Sequence, residues 1–190
     1  MQVPLTPRRW QRVEYERLVE LGMFRGEPLE LIDGRLVVAE PQGSVHAAAI
    51  TKADYALRAA LPDGWIVRLQ SPLSLDDESE PEPDLAVVAG RPGDYRRAHP
   101  ARPVLVVEVA ESSLDYDRVS KGSLYARAGL GDYWIVNLPE SAVEVYREPE
   151  IDGSAPFGWR YGSARRLRPP AAVAPLAFGD RRVAVADLLP

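Results

Sequence analysis

Cysteine is absent from the 190-residue chain. A disulfide framework, a thiolate metal site and a cysteine nucleophile are therefore excluded, and the absence suits a reducing compartment. The sequence also lacks any run of about 18 apolar residues, the length that a membrane-spanning helix needs. Its first ten residues, MQVPLTPRRW, contain no apolar signal segment. We therefore expect a cytoplasmic protein without a membrane span.

Acidic residues outnumber basic ones, and lysine is rare. The net charge is -5 at pH 7, which excludes a chain that coats nucleic acid by bulk electrostatic attraction. Only Lys52 and Lys121 are lysines, so each is a candidate for a specific role. Any contact with nucleic acid has to be local, and two arginine groups are candidates for it: Arg8, Arg9, Arg12 and Arg165, Arg166, Arg168.

The residues that are present fit one globular domain. Apolar and charged residues make up 46% and 27% of the chain, both ordinary values. We predict a single domain over residues 1–190, with its core at about 28–148 and a C-terminal extension at 153–190. No internal repeat or linker divides it.

The N-terminal third predicts a helix, a hairpin and a second helix. The first helix is expected to have Thr6 as N-cap and to stop at Gly22, with an apolar stripe of Trp10, Val13, Leu18 and Leu21. Asp33-Gly34 lies between two β-prone runs and predicts a two-residue turn, in a register that pairs Glu30 with Val37. From Ser44 the apolar period is again helical, and His46 lies on the apolar face.

Two carboxylates stand out in the predicted strands that follow. Asp84 comes before the strand LAVV, and Glu108 interrupts the apolar run PVLVVEVA. If these strands pair antiparallel with Ala86 opposite Val106, the two carboxylates lie about 5 Å apart on one face. Their repulsion and desolvation require a cation or a proton, and oxygen-only ligands favour magnesium, manganese or calcium over zinc.

The helix predicted at about 114–128 supplies a third charged group. At 100° per residue Lys121 falls at the centre of the apolar stripe, although a surface lysine normally lies opposite it, and Asp117 lies one turn away. Lys121 is therefore expected to point inward. A cation beside two carboxylates can orient water or stabilise charge on a phosphoryl group.

The segments PEPDLAVV, PVLVVEVAESSLDYDRVSKGSLYARAGLGDYWIVNL and VEVYR resemble the Uma-two family within the PD-(D/E)XK nuclease superfamily, over about residues 6–147. The resemblance implies an α/β (α+β), restriction-endonuclease-like fold: a mixed β-sheet flanked by helices, with an N-terminal helix and a β-hairpin. It also implies a Mg²⁺- or Mn²⁺-dependent endonuclease acting on nucleic acid, with DNA as the expected substrate, and by analogy a homodimer.

The resemblance also assigns residue roles. It makes Asp84 and Glu108 metal ligands and places Glu30, His46 and Gln70 at family positions. The motif's lysine belongs two residues after the acid, where this chain has Ala110, so the resemblance implies that Lys121 replaces it. We count Lys121, Asp84, Glu108, Glu30 and His46 as candidate catalytic residues, with Gln70, Asp117 and Tyr125 as secondary candidates.

Structural readings of the same residues stay open. Glu108 could face water from an edge strand, and Lys121 could pair only with Asp115 or Asp117. Glu30 could be a solvated hairpin residue, and His46 a packing residue. The acidic run at 76–80 is expected to be a solvated loop. The rival function is a nuclease-like fold that binds nucleic acid or protein without catalysis.

Overall fold

A computed structural model describes residues 6–39 and 42–190 of the protein. The helices and strands of these residues, in chain order, are α1 (Arg12–Glu20), β1 (Leu29–Ile32), β2 (Arg35–Val38), α2 (Ser44–Ala60), β3 (Trp65–Leu69), β4 (Leu85–Ala89), β5 (Leu105–Ala110), α3 (Leu114–Tyr116), a π-helical turn (Asp117–Lys121), α4 (Gly122–Arg127), β6 (Asp132–Asn137), β7 (Ala142–Ile151), β8 (Trp159–Leu167), β9 (Ala172–Val173), a 3-10 turn (Leu176–Phe178), β10 (Val183–Ala184) and α5 (Val185–Leu188). No helix among the described residues is both long and apolar enough to cross a membrane.

Six of the strands form one mixed sheet in the order β3-β4-β5-β6-β7-β8. Every neighbouring pair is antiparallel except β5 and β6, which are parallel. Parallel strands need a crossover connection, and the helical segment from α3 to α4 provides it. The mixed sheet with flanking helices and a separate β1-β2 hairpin confirms the predicted fold class.

The predicted registers of the hairpin and of the β4-β5 pair are confirmed. Ile32 pairs with Arg35 across the β1-β2 turn, where Asp33 and Gly34 have positive φ angles of 50° and 73°. Such angles are those of a type I′ turn, which glycine adopts without strain. In the central sheet Ala86 pairs with Val106, so the next pair along the same face is Asp84 and Glu108.

Alternation along the strands divides the core into two layers. One face of the sheet, with Val87 and Val107, packs against buried residues of α2 and α5. The opposite face carries Ala86 and Val106 and packs against Tyr125 of α4. Because side chains alternate, Asp84 and Glu108 belong to this second, α4-covered face.

The first helix differs from the prediction. It begins at Arg12 rather than near Thr6, because the Trp10 N–H bonds to the Gly34 carbonyl at 2.9 Å and holds the preceding residues against the hairpin. The predicted apolar stripe is also wrong: Val13 is 69% exposed, and Tyr15 is the buried residue of α1. The Tyr15 hydroxyl donates to the Leu29 carbonyl at 2.6 Å, which fixes α1 against β1.

The acidic run at 76–80 is not the solvated loop that its composition suggests. Ser79 and Glu80 are buried, and backbone hydrogen bonds of 2.7 and 3.3 Å join Glu80 to Leu31 of β1. Arg127 of α4 pairs with Asp76 at 2.9 Å, so a cation distant in sequence compensates part of the negative charge. Burial raises the pKa of Glu80 to about 7, helped by the nearby Glu16 carboxylate.

The segment at 153–190 contributes to the fold. Its first strand, β8, pairs with β7 and forms one edge of the main sheet. Val185 and Leu188 of α5 are fully buried in the core layer that α2 covers. Part of the predicted C-terminal extension is therefore continuous with the central sheet and core.

The predicted helix at about 114–128 contains a π-helical turn. The chain is helical from Leu114 to Arg127, but residues 117–121 make the wider turn. Asp117 and Lys121 are buried within it, which confirms that Lys121 points inward. Gly129 has a φ of 74° just beyond the helix end, as the sequence predicts for a stop.

Candidate active site

A cavity of about 750 Å³ opens between the β1-β2 hairpin, the start of α2 and the helical segment after β5. The candidate residues that line it are Glu30, His46, Gln70, Asp84, Glu108, Asp117 and Lys121. Tyr125 lies behind this lining and contacts Glu108. The structure therefore brings together residues that are up to 95 positions apart in the sequence, from Glu30 to Tyr125.

The backbones of β4 and β5 position the two sheet carboxylates. The Asp84 N–H donates to Glu108 Oε2 at 3.2 Å, and the Val109 N–H donates to Asp84 Oδ2 at 2.8 Å. Asp84 is 7% exposed and Glu108 is 3% exposed. The reading of Glu108 as a water-facing edge residue is wrong, because β5 lies inside the sheet.

Lys121 reaches the carboxylates from the π-helical turn. Its Nζ lies 3.0 Å from Glu108 Oε1 and 3.4 Å from Glu30 Oε1. Among the described residues these two carboxylates are its ion-pair partners, rather than Asp115 or Asp117. Burial opposes the charge on Lys121, but the surrounding carboxylates hold its pKa well above the ordinary value.

Tyr125 adds a second donor to Glu108. Its hydroxyl donates to Glu108 Oε1 at 2.7 Å, and the ring is fully buried. Burial raises the pKa of Glu108; Lys121 opposes that rise, and the neighbouring Asp84 carboxylate adds to it. The clustered negative charge of the site is therefore unfavourable, and a bound cation would stabilise it.

His46 and Gln42 contact the other sheet carboxylate. His46 Nε2 lies 3.1 Å from Asp84 Oδ2, and Gln42 Nε2 donates to Asp84 Oδ1 at 3.3 Å. The hydrogen bond to Asp84 raises the pKa of His46 against the effect of burial. The sequence did not identify Gln42, because it precedes α2 in an irregular segment and its partner is 42 positions away.

Asp117, Glu30 and Gln70 complete the group of predicted residues. The Ser113 hydroxyl donates to Asp117 Oδ2 at 2.6 Å, and burial raises the pKa of Asp117 while Lys121 opposes the rise. Glu30 is 7% exposed, which excludes the solvated hairpin reading, and its Oε2 has no hydrogen-bond partner among the described residues. Gln70 is exposed at the cavity edge, and its N–H donates to the Asp84 carbonyl at 3.1 Å.

The donor set fits a hard divalent cation that keeps part of its water shell. Residues 6–39 and 42–190 contain no group of three or more His, Cys, Asp and Glu side chains arranged to hold a metal ion. Asp84 Oδ1 and Glu108 Oε2 each accept one hydrogen bond and retain a lone pair. Two carboxylates with water are the usual ligands of Mg²⁺, so the residues present fit it without a complete protein cage.

Comparison with known proteins gives the family and the fold. No protein among the curated ones matches the chain. The crystal structure of a putative nuclease from Anabaena variabilis ATCC 29413 is 19% identical to the chain with a TM-score of 0.63, covering 84% of this chain and 88% of that one. At this identity the likeness shows a shared fold. The sequence model of Uma2, described as "Putative restriction endonuclease", matches residues 12–180. The chain therefore belongs to the Uma2 family of restriction-endonuclease-like proteins.

Proposed function

We propose that the protein is a metal-dependent endonuclease that hydrolyses phosphodiester bonds of nucleic acid, with DNA as its substrate and Mg²⁺ or Mn²⁺ as its cofactor. The observation that carries this proposal is the buried pair of Asp84 and Glu108 with Lys121 Nζ 3.0 Å from Glu108. Membership of the Uma2 family supports a nuclease. Location in the cytoplasm and assembly as a homodimer stay predictions.

Asp84 and Glu108 would hold the metal, since Asp84 directly precedes β4, Glu108 lies on β5, and both carboxylates keep lone pairs free and line the cavity. The bound cation would activate water and neutralise charge on the scissile phosphate. His46 and Gln42 hold the Asp84 carboxylate in place through their hydrogen bonds.

Lys121 supplies the protein's own positive charge. Its ammonium has three donor positions, and Glu108 and Glu30 hold it at the cavity wall. A phosphate oxygen in the cavity would take the remaining donor, so Lys121 would stabilise the charge that develops during hydrolysis. Glu30 also lines the cavity, and its Oε2 is buried and has no hydrogen-bond partner among the described residues, so a water that entered beside it would find an acceptor for its proton.

The test is cleavage of plasmid and single-stranded DNA with Mg²⁺ or Mn²⁺. Asp84→Asn, Glu108→Gln and Lys121→Met should each lower the rate by at least about 100-fold, the usual scale for loss of a charge-stabilising or acid-base group. Lys52→Met is the matched lysine control, because Lys52 is exposed on α2 and, among the described residues, forms no ion pair and donates one hydrogen bond, to the Ala186 carbonyl. Equal cutting by all variants, or no cutting by the wild type, contradicts the proposal.

A binding module without catalysis is the second candidate. The excess of carboxylates over cations in the cavity favours it, since these carboxylates keep a scissile phosphate out of the cavity until a metal binds, while nucleic acid could still bind elsewhere on the protein. Thermal unfolding with and without Mn²⁺ separates metal competence from turnover. A melting temperature that Mn²⁺ raises in the wild type but not in Asp84→Ala, with no cutting of either DNA, would favour the binding module.

A further inference from the structure

The loop between β4 and β5 carries a concentration of positive charge that the cavity chemistry does not use. Its four arginines, all exposed, are Arg91, Arg96, Arg97 and Arg102. None of them forms an ion pair with another residue in 6–39 or 42–190. The only acid between residues 90 and 104 is Asp94, and its Oδ2 accepts from the Arg91 N–H at 2.7 Å, within the loop's own turn. The loop is therefore basic in a chain of net charge -5.

Arg68 of β3 lies under this loop without an anionic partner. Its Nε is buried and has no hydrogen-bond partner among the residues that the structure describes. Its Nη2 lies 3.4 Å from His99 Nδ1, and its guanidinium stacks over the Tyr95 ring at 5.4 Å. Burial lowers the pKa of Arg68. Because Nε is inaccessible, the Nη donors are the part of this guanidinium that can reach an anion, and no carboxylate of the described residues occupies them.

The loop is held in a defined shape. The Tyr95 hydroxyl donates to the Ala89 carbonyl at 2.6 Å, and the Ser74 N–H donates to the carbonyl of the buried Pro100 at 3.0 Å. These contacts tie both halves of the loop to the body of the protein. Binding therefore requires little ordering of the loop backbone, which favours affinity.

The arginine groups at the two ends of the chain are largely neutralised. Arg9 pairs with Asp33 at 2.6 Å, and Arg168 pairs with Glu140 at 3.0 Å. Arg8, Arg12 and Arg166 also have carboxylate partners. The sequence-based expectation of nucleic-acid contacts at these groups is therefore less well supported than contacts at the β4-β5 loop.

The β3-β4 register places Arg68 on the site's own face of the sheet. Arg68 pairs with Ala86, and Asp84, which directly precedes β4, lies two residues from Ala86, so its side chain projects from the same face. Two residues of a strand span about 7 Å, whereas the β4-β5 loop leaves β4 at its other end, about 20 Å from Asp84. A DNA strand carries a phosphate about every 3.4 Å, so one bound duplex can reach both places. We propose that Arg68 and the arginines of the β4-β5 loop bind backbone phosphates of the nucleic acid beside the cleavage site. This proposal rests on the proposed function of the cavity.

One carboxylate near this surface, Glu16 of α1, is already engaged. Burial and the Arg68 guanidinium lower the pKa of His99, and Glu16 opposes that fall. Glu16 itself pairs with Arg12. The nearest acidic side chain on α1 is thus compensated and leaves the guanidinium of Arg68 available to a phosphate.

The test is binding of a short fluorescent DNA duplex, followed by anisotropy in EDTA at several KCl concentrations. A patch variant replaces Arg96, Arg97 and Arg102 with Gln, and a matched control replaces Arg25, Arg165 and Arg182 with Gln. The control arginines are also exposed and have no ion pair in the described part of the chain. The patch variant should lose about two to three from the slope of log K against log salt, one for each phosphate contact removed. The control should change the slope by less than about one.

Binding without metal is independent of cleavage, so the two proposals fail separately. Equal slopes in the patch and control variants, or no binding by the wild type, would overturn the phosphate-binding surface even if the protein cuts DNA. A reduced slope in the patch variant alone supports the surface. If the wild type then cuts no DNA with Mg²⁺ or Mn²⁺, the surface stands and the endonuclease proposal fails.

Discussion

Removal of Arg118 should destabilise the protein by an amount that depends on pH. Arg118 lies in the π-helical turn and donates from Nε to Glu144 Oε2 of β7 at 2.9 Å, with a second bond from Nη2 to Oε1. Burial alone would raise the pKa of Glu144, but Arg118, Tyr146 and Asn137 donate to its carboxylate and lower the pKa to about 2. Glu144 is 4% exposed and the Arg118 side chain is 26% exposed, so solvent screens the pair only in part.

The magnitude follows from that pKa. A fall from 4.5 to about 2 corresponds to about 3 kcal/mol of stability, at about 1.4 kcal/mol per pKa unit. Because the folded-state pKa of Glu144 is lowered, this stabilisation is present above about pH 4.5 and is lost as the pH falls through about 2. Tyr146, Asn137 and Arg166 stay beside Glu144, so Arg118→Leu should lose part of this stabilisation, about 1–3 kcal/mol at pH 7, and progressively less below about pH 4.5.

Urea denaturation at about pH 7, 5 and 3, followed by tryptophan fluorescence, would measure this difference. Arg17→Leu is the control, because Arg17 and its partner Glu20 are 66% and 68% exposed and their pair should contribute less than about 1 kcal/mol. A loss for Arg118→Leu that is below about 1 kcal/mol at pH 7, or that is the same at all three pH values, would refute the reasoning.

Two further substitutions test the site and the hairpin. Tyr125→Phe should lower the stability by about 1.5–3 kcal/mol, because the charged form of Glu108 loses a hydrogen-bond donor. The same loss should raise the pKa of Glu108 further. The destabilisation should therefore grow as the pH rises through that pKa. Urea denaturation from about pH 5 to 9 would measure it. Gly34→Ala should destabilise the protein by at least about 1 kcal/mol, because the φ of 73° disfavours a side chain and the new Cβ would lie 2.7 Å from the Arg9 Cβ; its melting temperature would show this.

Each substitution has a matched control. The Tyr161 hydroxyl donates to the backbone carbonyl of Leu130 at 2.9 Å, so Tyr161→Phe should cost stability without a pH-dependent increase. The same pH dependence in both tyrosine variants would contradict the role given to Tyr125. A Cβ added at Gly153 would meet no described atom within 4 Å, and the φ of Gly153 is not positive, so Gly153→Ala should be nearly neutral. An equal effect of both glycine substitutions would contradict the argument from φ.

Local patterns predicted the parts of the fold that depend on short-range rules. Asp33-Gly34 specified the hairpin and its register, and alternation along two strands specified Asp84 opposite Glu108. The helical wheel placed Lys121 inward because its neighbours on that face are apolar, and it is buried at 8% exposure. The family resemblance then identified Asp84 and Glu108 as the two carboxylates expected to bind the metal.

Features that depend on distant partners were not readable from the sequence. Glu80 was predicted to be solvated because its segment is acidic. Its backbone instead forms hydrogen bonds with Leu31, and the residue is buried. The first helix was predicted to be longer because Thr6 is a typical N-cap and Trp10 fits the apolar stripe, whereas the Trp10 N–H bonds to the hairpin instead. Gln42 and Arg68 carry no local signal, since each acquires its role from a side chain or loop more than 25 positions away.

The π-helical turn makes the site depend on how the helix is wound as well as on residue identity. Such a turn contains one residue more than an α-helical path would need, and deletion of one residue from 117–121 would let a regular α-helix run from α3 into α4. The wide turn therefore absorbs the extra residue. If the same residues were wound as a regular α-helix, α4 would rotate by about 100° relative to α3. Tyr125 would then turn away from Glu108, although every functional side chain remained in the sequence. A related chain that keeps this helix length without the wide turn can therefore retain all the motif residues and still lack the site.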